Sequence, residues 1–358
     1  MPLVKDPMET VTSQRRSQTF CQAFPKVELH RHLEGSLRLS TLVELGRAHG
    51  LNIPTSMREL TSLVQVNEHE PLTFTNFLSK FNTLRLFFRS PEVIQRVTRE
   101  AIVDAAADKV RYMELRFMPV ALSQVEGFPL SEVIDWVIKA TRTAEEENGI
   151  KTRLIVGVNR HETQQAEEVI QLAMDRVSSG SIVAVDLAGN EAEFSAQPFV
   201  GMFREAHQTG LHVTVHAGEW GGAANVSEAI QHLGAERIGH GVRVMEDDNV
   251  VRLAQERDIP FEVCITSNYQ SGVVPALTAH PLPRMIEAGI NTTINTDNPS
   301  ISRITLGNEY QIVCEDLGIP QEVFYERLIA AAQAAFLPQA ERDTLAQSLR
   351  EEIESMGC

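Results

Sequence analysis

The octapeptide ELHRHLEG, Glu28 to Gly35, sets two imidazoles one residue apart. In an extended strand alternate side chains share a face, so His30 and His32 point together while Arg31 points away. Such a pair offers two nitrogens to one metal ion, although two histidines can also be neighbours with no ligand between them. Further along, VHAGE carries His216 and Glu219, IGHG carries His240, and NTDNP carries Asp297 and Asn298. Zinc takes imidazole nitrogen and carboxylate oxygen and keeps a position open for water in catalytic sites. His30, His32, His216 and Asp297 would together supply three imidazoles and one carboxylate. A metal so held lowers the pKa of its water toward about 7. Glu219, three residues past His216, then suits a proton shuttle, and His240 suits a hydrogen bond that orients the resulting hydroxide. Gly189 and Gly218 are points where backbone can approach a flat ligand closely. Singly, each residue has an ordinary use: His216 or His240 as a buried imidazole, Asp297 in a turn, Glu219 at a helix start.

The elements that must position these groups follow from hydrophobic patterning. Short β-type runs at 27–30, 110–117, 153–158, 182–187, 212–216, 237–239, 261–265 and 292–296 alternate with longer stretches of helical spacing, such as PLSEVIDWVIKATRTAEEENG. Strands alternating with helices make a parallel sheet, and eight such units predict an α/β fold, a closed (β/α)₈ barrel of the TIM type in one domain spanning 1–358. Six of the runs end in polar groups: HRH, DLAGNE, HAGE, GHG, CITSN and NTDNP. In such a barrel those ends share the face that carries catalysis. Between the first two strands, residues 36–100 read as helix only, a helical insertion rich in phenylalanine (Phe74, Phe77, Phe81, Phe87, Phe88). Aromatics at helical spacing ordinarily pack as core, here against the barrel wall. The same insertion could instead form a lid that excludes water.

Composition bounds the partners. The chain has 358 residues, a formal charge of -16 and a pI near 5.2. That charge disfavours nucleic acid or an anionic membrane as partner. Four scattered cysteines, Cys21, Cys264, Cys314 and Cys358, form no close pair, so a reducing, cytoplasmic setting is expected. The first twenty residues lack the apolar stretch of a signal peptide, residues 1–22 are expected to be flexible, and no apolar run reaches the ~20 residues of a membrane span.

The segments PKVELHRHLEGSL, VRYMELRFMP, DLAGNE, VHAGE, ERIGHGV, CITSN and INTDNP, in this order, resemble the motif set of the adenosine deaminase family. The resemblance runs from about Phe24 past Pro299. It implies hydrolytic deamination of adenosine and 2′-deoxyadenosine to inosines and ammonia, by a zinc-activated hydroxide attacking purine C6. By the same resemblance one Zn2+ per chain is held by His30, His32, His216 and Asp297. Glu219 would protonate ring N1, His240 would orient the hydroxide, and the Gly189 N–H would meet purine N3.

Two positions depart from the family's pattern. Asn298 stands where a second acid commonly contacts purine N7, though an amide can also donate to that acceptor. Glu34 stands where adenosine-selective members often carry Asp near a ribose hydroxyl, and Glu is familiar in relatives acting on adenine or aminodeoxyfutalosine. Deamination of another 6-aminopurine, including an N6-substituted nucleoside, therefore stays open, as does a purine-binding protein without catalysis. A two-metal amide or ester hydrolase fits poorly, since AVDLAGNE offers no bridging lysine.

Overall fold

The computed structural model describes residues 23–54, 56–67 and 69–356, so the expectation for residues 1–22 lies outside the described residues. Eight parallel strands follow one another in chain order: β1 Lys26–His32, β2 Val110–Phe117, β3 Lys151–Asn159, β4 Ile182–Ala188, β5 His212–Ala217, β6 Arg237–His240, β7 Phe261–Val263 and β8 Thr292–Ile294. Helices connect them, and the fold is the expected (β/α)₈ barrel.

The last two strands are shorter than their apolar runs. After β7 the chain turns into a helix, Ile265–Gln270, because Glu309 accepts the N–H groups of Ile265 and Thr266 at 2.8 and 3.2 Å. Those are orphan donors of the first helical turn. After β8 the chain bends at Asp297, whose φ is +62°. That bend does not interrupt closure. His32 donates its N–H to Asp297 O and Asp297 donates its own to His30 O, both at 2.8 Å, which stitches β8 back to β1.

Strand β1 carries a register shift against β2 between Glu28 and Arg31, where three residues step along two. One extra residue changes the phase of the pleat. Val27 and Leu29 thereby pack with Tyr112, while His30 and His32 still reach the cluster at the C-terminal mouth. Gly239 on β6 leaves room beside them: a Cβ there would stand 3.0 Å from His30 Cε1.

Below the histidines the interior is charged. Arg116 donates to Glu262 at 2.6 Å and to Asp186 at 3.2 Å. Arg237 donates to Glu262 at 2.6 Å and to Glu114, with its guanidinium 3.6 Å from the Phe336 ring centre. All five charged groups are at most 1% exposed. Burial alone would raise the Glu262 carboxyl, yet the two guanidinia hold it well below the ordinary range.

The segment between β1 and β2 is helical throughout: Leu39–Ala48, Met57–Val64, Phe74–Leu84 and Pro91–Ala107. The last of these packs on helix Leu130–Asn148 and on β2, so it belongs to the outer ring of the barrel. The three before it are the true addition. Phe87 and Phe88 are fully buried, as core packing requires.

Arg237 to Met should cost about 3–5 kcal/mol of stability, because it leaves Glu114 buried without its cation and Glu262 with Arg116 alone. Urea denaturation followed by circular dichroism reads this as a lowered midpoint.

Candidate active site

Five of the six polar strand ends reach one cavity at the C-terminal mouth. Its walls include His32, Glu34, Gly189, His216, Glu219, His240, Asp297 and Asn298. Helix Phe74–Leu84 roofs it with Phe77, Leu78 and Phe81. Phe74 lies against Trp220 with ring centres 5.6 Å apart. Two of the five phenylalanines of the insertion, Phe77 and Phe81, thus line the site, more than packing alone called for.

His30, His216, His240 and Asp297 bring one ligand atom each to within 4.8 Å of one another. His32 joins this group: its Nε2 stands 3.2 Å from His216 Nε2 and 3.3 Å from Asp297 Oδ1. The other ring nitrogens of two histidines are occupied. His30 Nδ1 meets Glu262 Oε2 at 2.7 Å and His216 Nδ1 meets Asp186 Oδ1 at 3.1 Å. A histidine that donates Nδ1–H to a carboxylate presents its Nε2 lone pair, the arrangement of metal-binding imidazoles. His30 Nε2 is buried with no hydrogen-bond partner. A donor set of imidazole nitrogens and one carboxylate oxygen, with one such orphan at its centre, fits a divalent cation.

Asp297 Oδ2 accepts from Ser267 Oγ at 2.6 Å, which leaves Oδ1 toward the histidines. Glu219 is 5% exposed, with Oε1 3.7 Å from His240 Nε2. Burial first, then the charges of Asp297 and Glu191, push its carboxyl well above the usual range. Those surroundings favour its protonated form.

Glu34 lies 3% exposed beside the cavity. One oxygen accepts the Met118 N–H at 2.7 Å and the other has no partner. Burial raises this carboxyl to about 7, against the lowering effect of that N–H. Gly189 has φ +91°, a backbone conformation L side chains rarely adopt. Asn298 is packed against Gly35, where an added Cβ would fall 1.9 Å from its Oδ1.

Several positioning groups were not singled out from sequence. Glu191 accepts the N–H groups of Gly218, Glu219 and Trp220 at 2.9, 2.6 and 2.8 Å and so shapes the loop after β5. Asp186, Glu262 and Arg116 stand behind the histidines, and Ser267 stands behind Asp297. A signal existed for the first three: a charge in the middle of a strand buried on both faces needs a partner.

A family model described as adenosine deaminase matches residues 25–352. The chain is similar to the adenosine deaminase of Vibrio cholerae serotype O1, 35% identical over 326 residues that cover 90% of this chain and 96% of that protein. It also resembles the solved structure of an adenine deaminase from Arthrobacter aurescens, at 27% identity and TM-score 0.85, covering 93% of this chain and 100% of the other. The N6-mAMP deaminase of arabidopsis is likewise similar, at 27% identity and TM-score 0.81, over 94% and 99% of the two chains.

Asp186 to Asn should weaken binding of a divalent cation by about 10–100-fold, since the amide no longer fixes the His216 ring as a carboxylate does. Competition with a chromophoric chelator measures it directly.

Proposed function

The chain belongs to the adenosine deaminase family, and from that premise we propose that it hydrolyses adenosine and 2′-deoxyadenosine to the corresponding inosines and ammonia. One observation carries the reading. Three imidazoles, the Asp297 carboxylate and the buried Glu219, whose surroundings favour its protonated form, line one cavity. His30, His32, His216 and Asp297 would hold one zinc ion. When bound, zinc lowers the pKa of a water toward about 7 and so supplies a nucleophile at neutral pH.

Glu219 donates its proton to purine N1 as oxygen adds to C6. Protonating the ring nitrogen makes C6 electrophilic and keeps the addition product neutral. Glu219 takes up the proton released by water and passes the next one to the 6-amino group. The C6–N bond then breaks, ammonia leaves, and the remaining oxygen becomes the C6 carbonyl. His240 orients the attacking oxygen. Gly189 offers its N–H to purine N3, Asn298 its amide to N7, and Glu34 its unpartnered oxygen to a ribose hydroxyl. Phe77 and Phe81 shield the purine from water, which strengthens each of these contacts.

A second reading rests on Glu34, whose longer side chain reaches into space a sugar would use. In that reading the substrate is another 6-aminopurine, such as free adenine or an N6-substituted nucleoside. We place the enzyme in the cytoplasm, where purine nucleosides turn over. Among the described residues no helix is long and apolar enough to cross a membrane.

An ultraviolet assay with adenosine, 2′-deoxyadenosine, adenine and a 5′-bulky adenosine analogue tests the reading. Adenosine should be consumed fastest, with zinc near one per chain. Consumption of adenine alone transfers the conclusion to the second reading, and no reaction with metal bound overturns both. Glu219 to Gln should lower kcat on the order of 10²–10⁴-fold, the scale of a lost proton transfer. A purely binding protein would keep its ligand affinity unchanged in that variant.

A further inference from the structure

Behind His240, on the side away from the cavity, lies a chain of hydrogen bonds that ends on the main chain. Leu282 donates its backbone N–H to His280 Nδ1 at 3.1 Å. His280 Nε2 lies 3.2 Å from Asn268 Oδ1, and Asn268 Nδ2 lies 3.1 Å from His240 Nδ1. All three side chains are buried, with exposures of 4%, 0% and 1%.

The first donor fixes every later one. A backbone N–H can only donate, so His280 Nδ1 is an acceptor and the single proton of the neutral ring sits on Nε2. That proton requires an oxygen opposite, so the Asn268 amide has one permitted orientation. Its nitrogen then faces His240 and can only donate. We infer that Asn268 and His280 are positioning residues that hold His240 as the neutral imidazole protonated on Nε2, with that N–H turned toward the reacting centre. Burial pushes the His280 imidazole down to about 3, so this link stays neutral across the working pH range.

The inference rests on the role proposed above for His240 and sharpens it. An Nε2–H donates and cannot accept, so His240 holds a lone pair of the attacking oxygen and takes no proton from it. Glu219, whose Oε1 stands 3.7 Å from that nitrogen, is left to carry both protons of the reaction. His240 has φ +59° and is followed by Gly241 at +66°. The left-handed turn aims the ring between Asn268 and the cavity, at a backbone cost that persists only where surroundings enforce it.

The test is nitrogen NMR of the full chain, zinc-loaded and labelled with ¹⁵N-histidine, with the His240 signals assigned by their loss in His240→Gln. The expected spectrum shows a pyridine-type Nδ1 and a pyrrole-type Nε2. Asn268→Asp preserves shape but replaces the donor by an acceptor, so it should turn Nδ1 pyrrole-type. Turnover should then fall on the order of 10²–10⁴-fold, as when a carboxylate–amide exchange reverses a catalytic imidazole. KM should change little, since the purine contacts are untouched. His280→Ala, which frees Asn268 to turn over, should give both tautomers and a smaller loss of kcat. A pyrrole-type Nδ1 in the wild type overturns the inference, as does an Asn268→Asp variant with altered tautomer and undiminished kcat. A wild type with pyridine-type Nδ1 that deaminates no purine would overturn the proposed function and leave the tautomer assignment standing.

Discussion

Two buried carboxylates hold this site together, each dividing its oxygens between an arginine and a histidine. Glu262 meets His30 and Arg116 through one oxygen and Arg237 through the other. Asp186 meets His216 through one and Arg116 through the other. Burial alone would raise Asp186, but its contacts with the His216 ring and the Arg116 guanidinium hold it low. The carboxylates stay ionised because of the guanidinia, and the imidazoles present Nε2 because of the carboxylates. Arg116 touches both and so couples β1 to β4, β5 and β7. In a low-dielectric interior such a network is either fully satisfied or very costly. Its apolar surroundings exclude the water that would otherwise loosen it.

The same economy governs closure of the barrel. The hydrogen bonds that join β8 to β1 run between Asp297 and the two residues His30 and His32. Forming the barrel and assembling the candidate ligands are one event, so the site cannot be remodelled without opening the seam. Asp297 and His240 are also two of the five non-glycine residues with positive φ among those described. Strained backbone at functional positions is expected when surrounding structure over-determines it. Here Ser267 fixes Asp297 and Asn268 fixes His240, from adjacent positions on one short helix that Glu309 caps.

What the sequence disclosed and what it withheld follow from the range of the interactions. Strand positions and polar strand ends are local patterns of period and composition, and they were legible, together with His30, His32, His216, Glu219, His240 and Asp297. The shortening of β7 and β8 was not, because helix Ile265–Gln270 begins where Glu309, over forty residues away, takes its N–H groups. His280 carries no local mark, being one histidine before a proline, and its link to Asn268 exists only in three dimensions. Asp186, Glu262 and Arg116 were readable in principle as charges inside apolar runs, but not their pairing. Phe77 and Phe81 show the limit of periodicity: helical spacing says that one face is covered, and not whether protein or ligand covers it.

Charge accounting gives Asn298 a physical sense. Among the side chains ion-paired with the candidate ligands or with one another below them, two guanidinia, Arg116 and Arg237, face four carboxylates, Glu114, Glu262, Asp186 and Asp297. The excess is two negative charges, that of one divalent cation taken with neutral imidazoles. Burial and the charges of Asp297 and Glu191 oppose ionisation of Glu219. A carboxylate at position 298 would add a third negative charge in a place already 3% exposed and pressed against Gly35. Burying it unpaired would require a proton, so it would offer the purine what the amide offers already, a donor. Asn298 would therefore supply the proposed contact without the titration. On this argument the substitution leaves the chemistry at C6 intact and removes only a pH-dependent step from recognition of the base.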